Sequence, residues 1–173
     1  ISSHTGSLAS SYDTVLAAVR KANLILAENS EELYKLIELV DIGYFPKGKN
    51  VAVVSNAGGP GITAVDSAEK EGLEIVSLGE KTQQRLKRNL PVEASFENPV
   101  DILGDAKSDR YAYAIEAVIE DVNVNSVVVL LTPQLMTDIE GTANAIIEMS
   151  KKTSKPIFGC FLGGKEVKNG FRI

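Results

Sequence analysis

The 173 residues carry 18 lysines and arginines against 23 aspartates and glutamates, a formal net charge of −5, with 44% hydrophobic and 24% charged residues. This is an ordinary globular composition, sufficient for one core plus a short extension. It is too acidic for the basic face that broad nucleic-acid binding needs, and no apolar run approaches the ~20 residues of a membrane span.

Cys160 is the only cysteine, so no internal disulfide can form. With no signal-peptide pattern at the start, a cytoplasmic location is expected. No initiator methionine opens the chain, and Phe171-Arg172-Ile173 closes it without a capping signal. A piece of a longer polypeptide is expected.

In chain order, residues 1–10 come first. They hold the only histidine, His4, in Ser2-Ser3-His4-Thr5-Gly6-Ser7-Leu8-Ala9-Ser10-Ser11. Such small and hydroxyl residues offer little to anchor the segment to a core. It can form a mobile loop that carries an imidazole. Residues 11–49 read as a helical linker. Ser11 or Asp13 caps a helix over Tyr12 to Ala22. Asn29 or Ser30 caps a second, whose stripe is Leu33, Leu36, Ile37 and Val40. Gly43 and the Pro46-Lys47-Gly48-Lys49 turn end it.

From residue 50 to 173 the pattern becomes strand, turn, helix, repeated. Strands are predicted at 51–55, 73–78, 126–131 and 156–161, and helices at 61–71, 80–89, 107–120 and 138–152. The strands are continuous apolar runs, as expected of parallel strands covered on both faces. Asn98 to Ile102 is a short strand or extended turn. The alternation predicts an α/β, doubly wound, mainly parallel sheet with helices on both faces and ligands at the strands' carboxyl ends. A flavodoxin-like strand order is the expectation.

Four segments lie at those ends. In Asn56-Ala57-Gly58-Gly59-Pro60-Gly61, three glycines remove side chains where backbone N–H groups could face an anion. Pro60 suits a first helical turn, and the helix dipole favours negative charge there. The motif is neither a Walker A loop nor a dinucleotide fingerprint, and a turn that binds nothing competes with the anion reading. Asp101 and Gly104-Asp105 could place a carboxylate near a strand end, although an Asx-type turn is the commoner use of such residues. Thr132-Pro133-Gln134 and Gly163-Gly164 follow later strands. Together these four would line one crest. Cys160 reads as core, and the basic run Arg85 to Arg88 as a solvated helix face. The neutral imidazole nitrogen of a histidine is in general a good phosphoryl acceptor near neutral pH, but a lone histidine in a polar tail is most often merely exposed. No metal-ligand set is visible.

Taken as a set, these residues resemble a known family. Ser3-His4-Thr5-Gly6-Ser7-Leu8-Ala9 resembles the phosphohistidine segment of NDP-forming acyl-CoA synthetases, which include ADP-forming acetyl-CoA synthetases and, more distantly, succinyl-CoA synthetase. Asn56 to Gly61, Asn98-Pro99-Val100-Asp101 with Gly104-Asp105-Ala106, Thr132-Pro133-Gln134 with Thr137-Asp138, and Gly163-Gly164 follow in that family's order. Ser10 stands where many relatives carry glycine.

The resemblance implies the reaction acyl-CoA + NDP + phosphate ⇌ acid + CoA + NTP, through an acyl phosphate and a phosphorylated histidine. It makes His4 the phosphorylated residue, on the tail of a preceding domain. It makes Asn56, Ala57, Gly58, Gly59 and Gly61 a phosphate-binding loop that opens one of two phosphate-facing helices. Asp101, Gly104, Thr132, Gln134, Gly163 and Gly164 become loop support or interface. It implies CoA-binding and ATP-grasp domains or subunits as partners, an oligomeric intact enzyme, and CoA, ADP or ATP and magnesium there, with none bound by this chain alone. The chain by itself is expected to be inactive. A different-class alternative is a non-catalytic ligand-sensing module fused to a protein acetyltransferase; the presence of His4 favours the enzyme.

Overall fold

A computed structural model describes residues 11–173. The chain divides into two units between Gly43 and Tyr44. In the first, α1 spans Tyr12–Lys21 and α2 spans Ser30–Ile42. The Ser11 hydroxyl caps α1 by accepting from the Thr14 N–H at 3.3 Å. Asn29 caps α2 by accepting from the Glu32 N–H at 2.9 Å, while the Glu32 carboxylate reaches back to the Glu28 N–H. This nearly reproduces a capping box. Gly43, at φ +70°, ends α2 in the left-handed conformation that glycine adopts without strain. The expected stripe of α2 stays exposed at Leu33, Ile37 and Val40.

The second unit contains five parallel strands: β1 (Asn50–Ser55), β2 (Glu74–Ile75), β3 (Val100–Asp101), β4 (Ser126–Leu131) and β5 (Ile157–Phe161). The helices between them are α3 (Gly58–Lys70), α4 (Glu80–Asn89), α5 (Ser108–Ile119) and α6 (Ile139–Ser150), and a 3₁₀ turn follows at Gly170–Arg172. The sheet order is β2-β1-β4-β5, with β3 also on β1. Strand order reverses between β1 and β4, the switch point at which such sheets form a crevice. Ala52, Val54, Val127, Val129 and Leu131 share one core with α4, α5 and α6, whereas Val51, Val53 and Leu130 pack with Ala64 and Val65 of α3. Both faces therefore carry helices, in unequal number.

Several sequence expectations need correction. The strand expected over 73–78 pairs only at Glu74 and Ile75. Asn98 explains this: its amide donates to the carbonyls of Val51 (2.7 Å) and Val76 (2.9 Å) and accepts from the Val53 N–H (2.9 Å). One side chain stands in for ladder bonds, and β1 passes from β2 to β3 across it. Strand β5 is an edge among the described elements and exposes Phe158, Gly159 and Cys160, so Cys160 is not core. Arg85 is not simply solvated. It pairs with Glu116 and Glu120 and clamps α4 to α5. Lys152 also reaches Glu116, and these cations, Lys152 foremost, hold the Glu116 carboxyl below the usual carboxylate range.

Tyr111 is the largest fully buried side chain, and its hydroxyl donates to the Leu130 carbonyl at 3.0 Å. Burial raises its pKa, so it remains a protonated donor. Tyr111→Ala should cost about 3–5 kcal/mol, the usual range for emptying an aromatic site. Tyr111→Phe should cost only about 1–3 kcal/mol, from the orphaned carbonyl. Urea unfolding of the chain measures both. Equal losses would mean that the hydroxyl, not the ring volume, carries the effect.

Candidate functional site

All the strands are parallel, so the loops after β1, β3, β4 and β5 emerge on one crest. The glycines after β1 do not form a loop before the helix, as the sequence suggested. They are its first turn: α3 begins at Gly58, not residue 61. Its N-cap is Ala57, which has no side chain able to satisfy the helix end. Buried Ser55 shapes the turn, its hydroxyl accepting from the Ala57 N–H (3.1 Å) and donating to the Ala57 carbonyl (2.8 Å). The first helical bond runs from the Gly61 N–H to the Ala57 carbonyl at 3.2 Å. Pro60 has no N–H. The Gly58 and Gly59 N–H groups are left with no acceptor among the described residues.

Each glycine has a separate role. A methyl group on Gly59 would meet nothing within 4 Å, so this position faces open space. On Gly58 it would lie 3.1 Å from Asp101 Oδ2. On Gly61 it would touch Ser55 and Pro99 at 3.6 and 3.8 Å, which places that residue where the helix packs on the sheet. None of the three has positive φ. Their value here is bare backbone rather than unusual dihedrals.

The remaining candidates gather round this turn. Asp101 forms the Asx turn: Oδ1 accepts from the Leu103 N–H at 2.9 Å, and Leu103 is held at φ +69°. Its other carboxylate oxygen faces Gly58. Asn56 is buried, and its side chain pairs with the backbone of Thr132 in both directions at 2.8 Å. The Gln134 amide lies 3.5 Å from the Asn56 carbonyl and packs so closely on Gly104 that a methyl group there would collide with it. The buried Thr132 hydroxyl oxygen has no partner among the described residues. Gly163 (φ +137°) packs against Pro133, and Gly164 (φ +57°) faces open space. His4 lies outside the described residues. Among those residues no cluster of His, Cys, Asp and Glu could hold a metal ion, and no helix is long and apolar enough to cross a membrane. Sequence reasoning named Asn98 only as part of a motif and missed its bridging role, and it missed the role of Ser55; a polar residue at the end of an apolar strand and an Asn before Pro were the available signals.

A doubly wound parallel sheet with an uncapped, glycine-opened helix at its switch point defines an α/β domain whose helix end carries free backbone donors on the sheet's crest. Residues 51–172 match the Ligase-CoA domain, and the chain belongs to that family. It is 38% identical over 172 residues to acetate–CoA ligase (ADP-forming) I of Archaeoglobus fulgidus, covering 99% of this chain and 24% of the relative. It is 32% identical over 166 residues to the alpha subunit of acetate–CoA ligase (ADP-forming) II of Pyrococcus furiosus, covering 94% and 36%. Among solved structures it is similar to the dinucleotide-forming acetyl-coenzyme A synthetase 1 of Ca. Korarchaeum cryptofilum in complex with phosphate and ADP. There the TM-score is 0.87 at 29% identity, covering 98% of this chain and 37% of the other. The chain thus spans only 24% to 37% of the length of these relatives.

Proposed function

We propose that this chain supplies the phosphohistidine loop and one phosphate-facing helix N-terminus of an NDP-forming acid–CoA ligase. The observation that supports this reading best is the pair of unpartnered N–H donors at Gly58 and Gly59, on a helix whose cap and third residue offer nothing to satisfy its end. In the proposed sequence, phosphate attacks the thioester carbon of acyl-CoA and expels the CoA thiolate, giving an acyl phosphate. A ring nitrogen of His4 then attacks phosphorus, the P–O bond to the acyl group breaks, and the acid leaves. Finally the phosphoryl group passes from His4 to NDP. The Gly58 and Gly59 N–H groups and the α3 dipole hold phosphate oxygens while the phosphoryl group is transferred. The CoA and nucleotide sites, with magnesium at the nucleotide, belong to partner domains or subunits, and the chain alone forms no acyl-CoA.

The test uses the intact enzyme containing this chain, supplied with acyl-CoA, ADP and phosphate. NTP formation is expected, and a failure to form it would overturn the reading. Asp101 sharpens the experiment. Its carboxylate faces the turn and repels a phosphate held there. Asp101→Asn keeps the acceptor for the Leu103 N–H and removes the charge. The phosphate KM should fall about fivefold, the effect of ~1 kcal/mol between unit charges near 4 Å in a water-like dielectric. An unchanged KM would place the phosphate away from Gly58.

A further inference from the structure

We infer that Asn56 is a positioning residue rather than a phosphate ligand: its side chain closes the crevice between β1 and β4 and holds the Gly58–Gly59 turn in register with the loop after β4. This rests on the proposed cradle and assigns Asn56 a different role within it. Asn56 is the first residue past β1, and Thr132 is the first past β4. Val54 and Ser55 face Val129 and Leu130 in the ladder, so the next rung would need the two backbones to keep pairing. They diverge there, because one chain turns into α3 and the other into the 132–138 loop. The Asn56 amide spans the gap, donating to the Thr132 carbonyl and accepting from its N–H, both at 2.8 Å.

Both ends of the amide are engaged, and the residue is 1% exposed. The side chain has no face to offer an anion. What it does offer is geometry. Ala57, immediately next in the chain, caps α3, and the free donors follow at Gly58 and Gly59. Thr132 in turn begins a loop closed by Thr137, whose hydroxyl accepts from the Gln134 N–H at 2.9 Å. A shift of the Asn56 backbone therefore moves both the donors and that loop.

The test combines the free chain with the intact enzyme. In ¹⁵N NMR spectra of the chain titrated with inorganic phosphate, the Gly58 and Gly59 amide signals should move. The side-chain NH₂ pair of Asn56 should not, and the Thr132 amide should stay protected from exchange. Movement of the Asn56 NH₂ pair comparable to that of the glycines would overturn the inference, because the side chain would then be a ligand. In Asn56→Ala, Thr132 should lose protection and the Gly58 and Gly59 amides should shift before any phosphate is added. In the intact enzyme, kcat for His4 phosphorylation should fall ~100-fold, as expected for donors displaced by about an ångström, with the KM for CoA unchanged. A folded Asn56→Ala enzyme with normal kcat would also overturn it. If that variant does not fold, the wild-type titration still decides between ligand and strut. Absence of any response at Gly58 and Gly59 with Thr132 protected and the Asn56→Ala turn displaced would instead remove the cradle and leave the strut.

Discussion

An intact enzyme carrying His4→Ala should take up no acid-labile phosphate from NTP and magnesium. His4 is the only histidine in the chain, and the motif around it is the one that resembles a phosphohistidine segment. Imidazole is suited to this work because its neutral form is abundant near pH 7 and its nitrogen is a competent nucleophile. Alanine leaves no group to form the P–N bond, so overall turnover should fall on the order of 10⁴-fold or more, the scale seen when a nucleophile is deleted. The measurement is radiolabel incorporation followed by peptide mapping. Undiminished label in His4→Ala, or label mapped to another residue, would end the assignment.

The second large effect is expected at Gly59. Gly59→Val adds a β-branched side chain beside a donor N–H, on the side that faces open space. The added methyl groups would stand where the proposed cradle receives phosphate. Phosphoryl transfer to and from His4 should slow ~100-fold, by analogy with losing one preorganised oxyanion donor. Thermal stability should barely change. Gly59 has no positive φ and no neighbour to strike, and valine is a slightly better helix residue than glycine. Stability and activity therefore separate at this position. A folded Gly59→Val enzyme with normal phosphorylation and dephosphorylation rates would reduce the turn to a connector.

The sheet and its helices were legible because parallel strands buried on both faces leave continuous apolar runs, and Val51 to Ser55 and Ser126 to Leu131 are such runs. The helix caps were legible to within a choice of two residues, Ser11 or Asp13 and Asn29 or Ser30, and the stop at Gly43 outright, since each depends on a local side chain or a local dihedral. The crest was legible in outline, because parallel strands send all their carboxyl ends one way. Asp101 shows the limit. The sequence allowed either an Asx turn or a carboxylate near a strand end, and in the structure one oxygen makes the turn while the other faces Gly58.

Contacts between distant residues were not legible. Asn98 replaces ladder bonds across 45 residues to Val53, and Asn56 bridges 76 residues to Thr132. Neither leaves a periodicity, because a single amide satisfies backbone groups wherever the fold delivers them. Cys160 and Arg85 were misread for the same reason. An apolar run does not reveal whether its strand lies at an edge, and a basic run does not reveal which carboxylates a neighbouring helix will bring. The sequence alone determined the parallel α/β class, the glycine-opened turn and the lone histidine, because hydrophobic pattern and bare backbone are local properties. Only the tertiary structure decided which polar side chains are spent inside the protein and which N–H groups remain without an acceptor, because that depends on what the packing of β1 against β4 and β3 leaves unsatisfied.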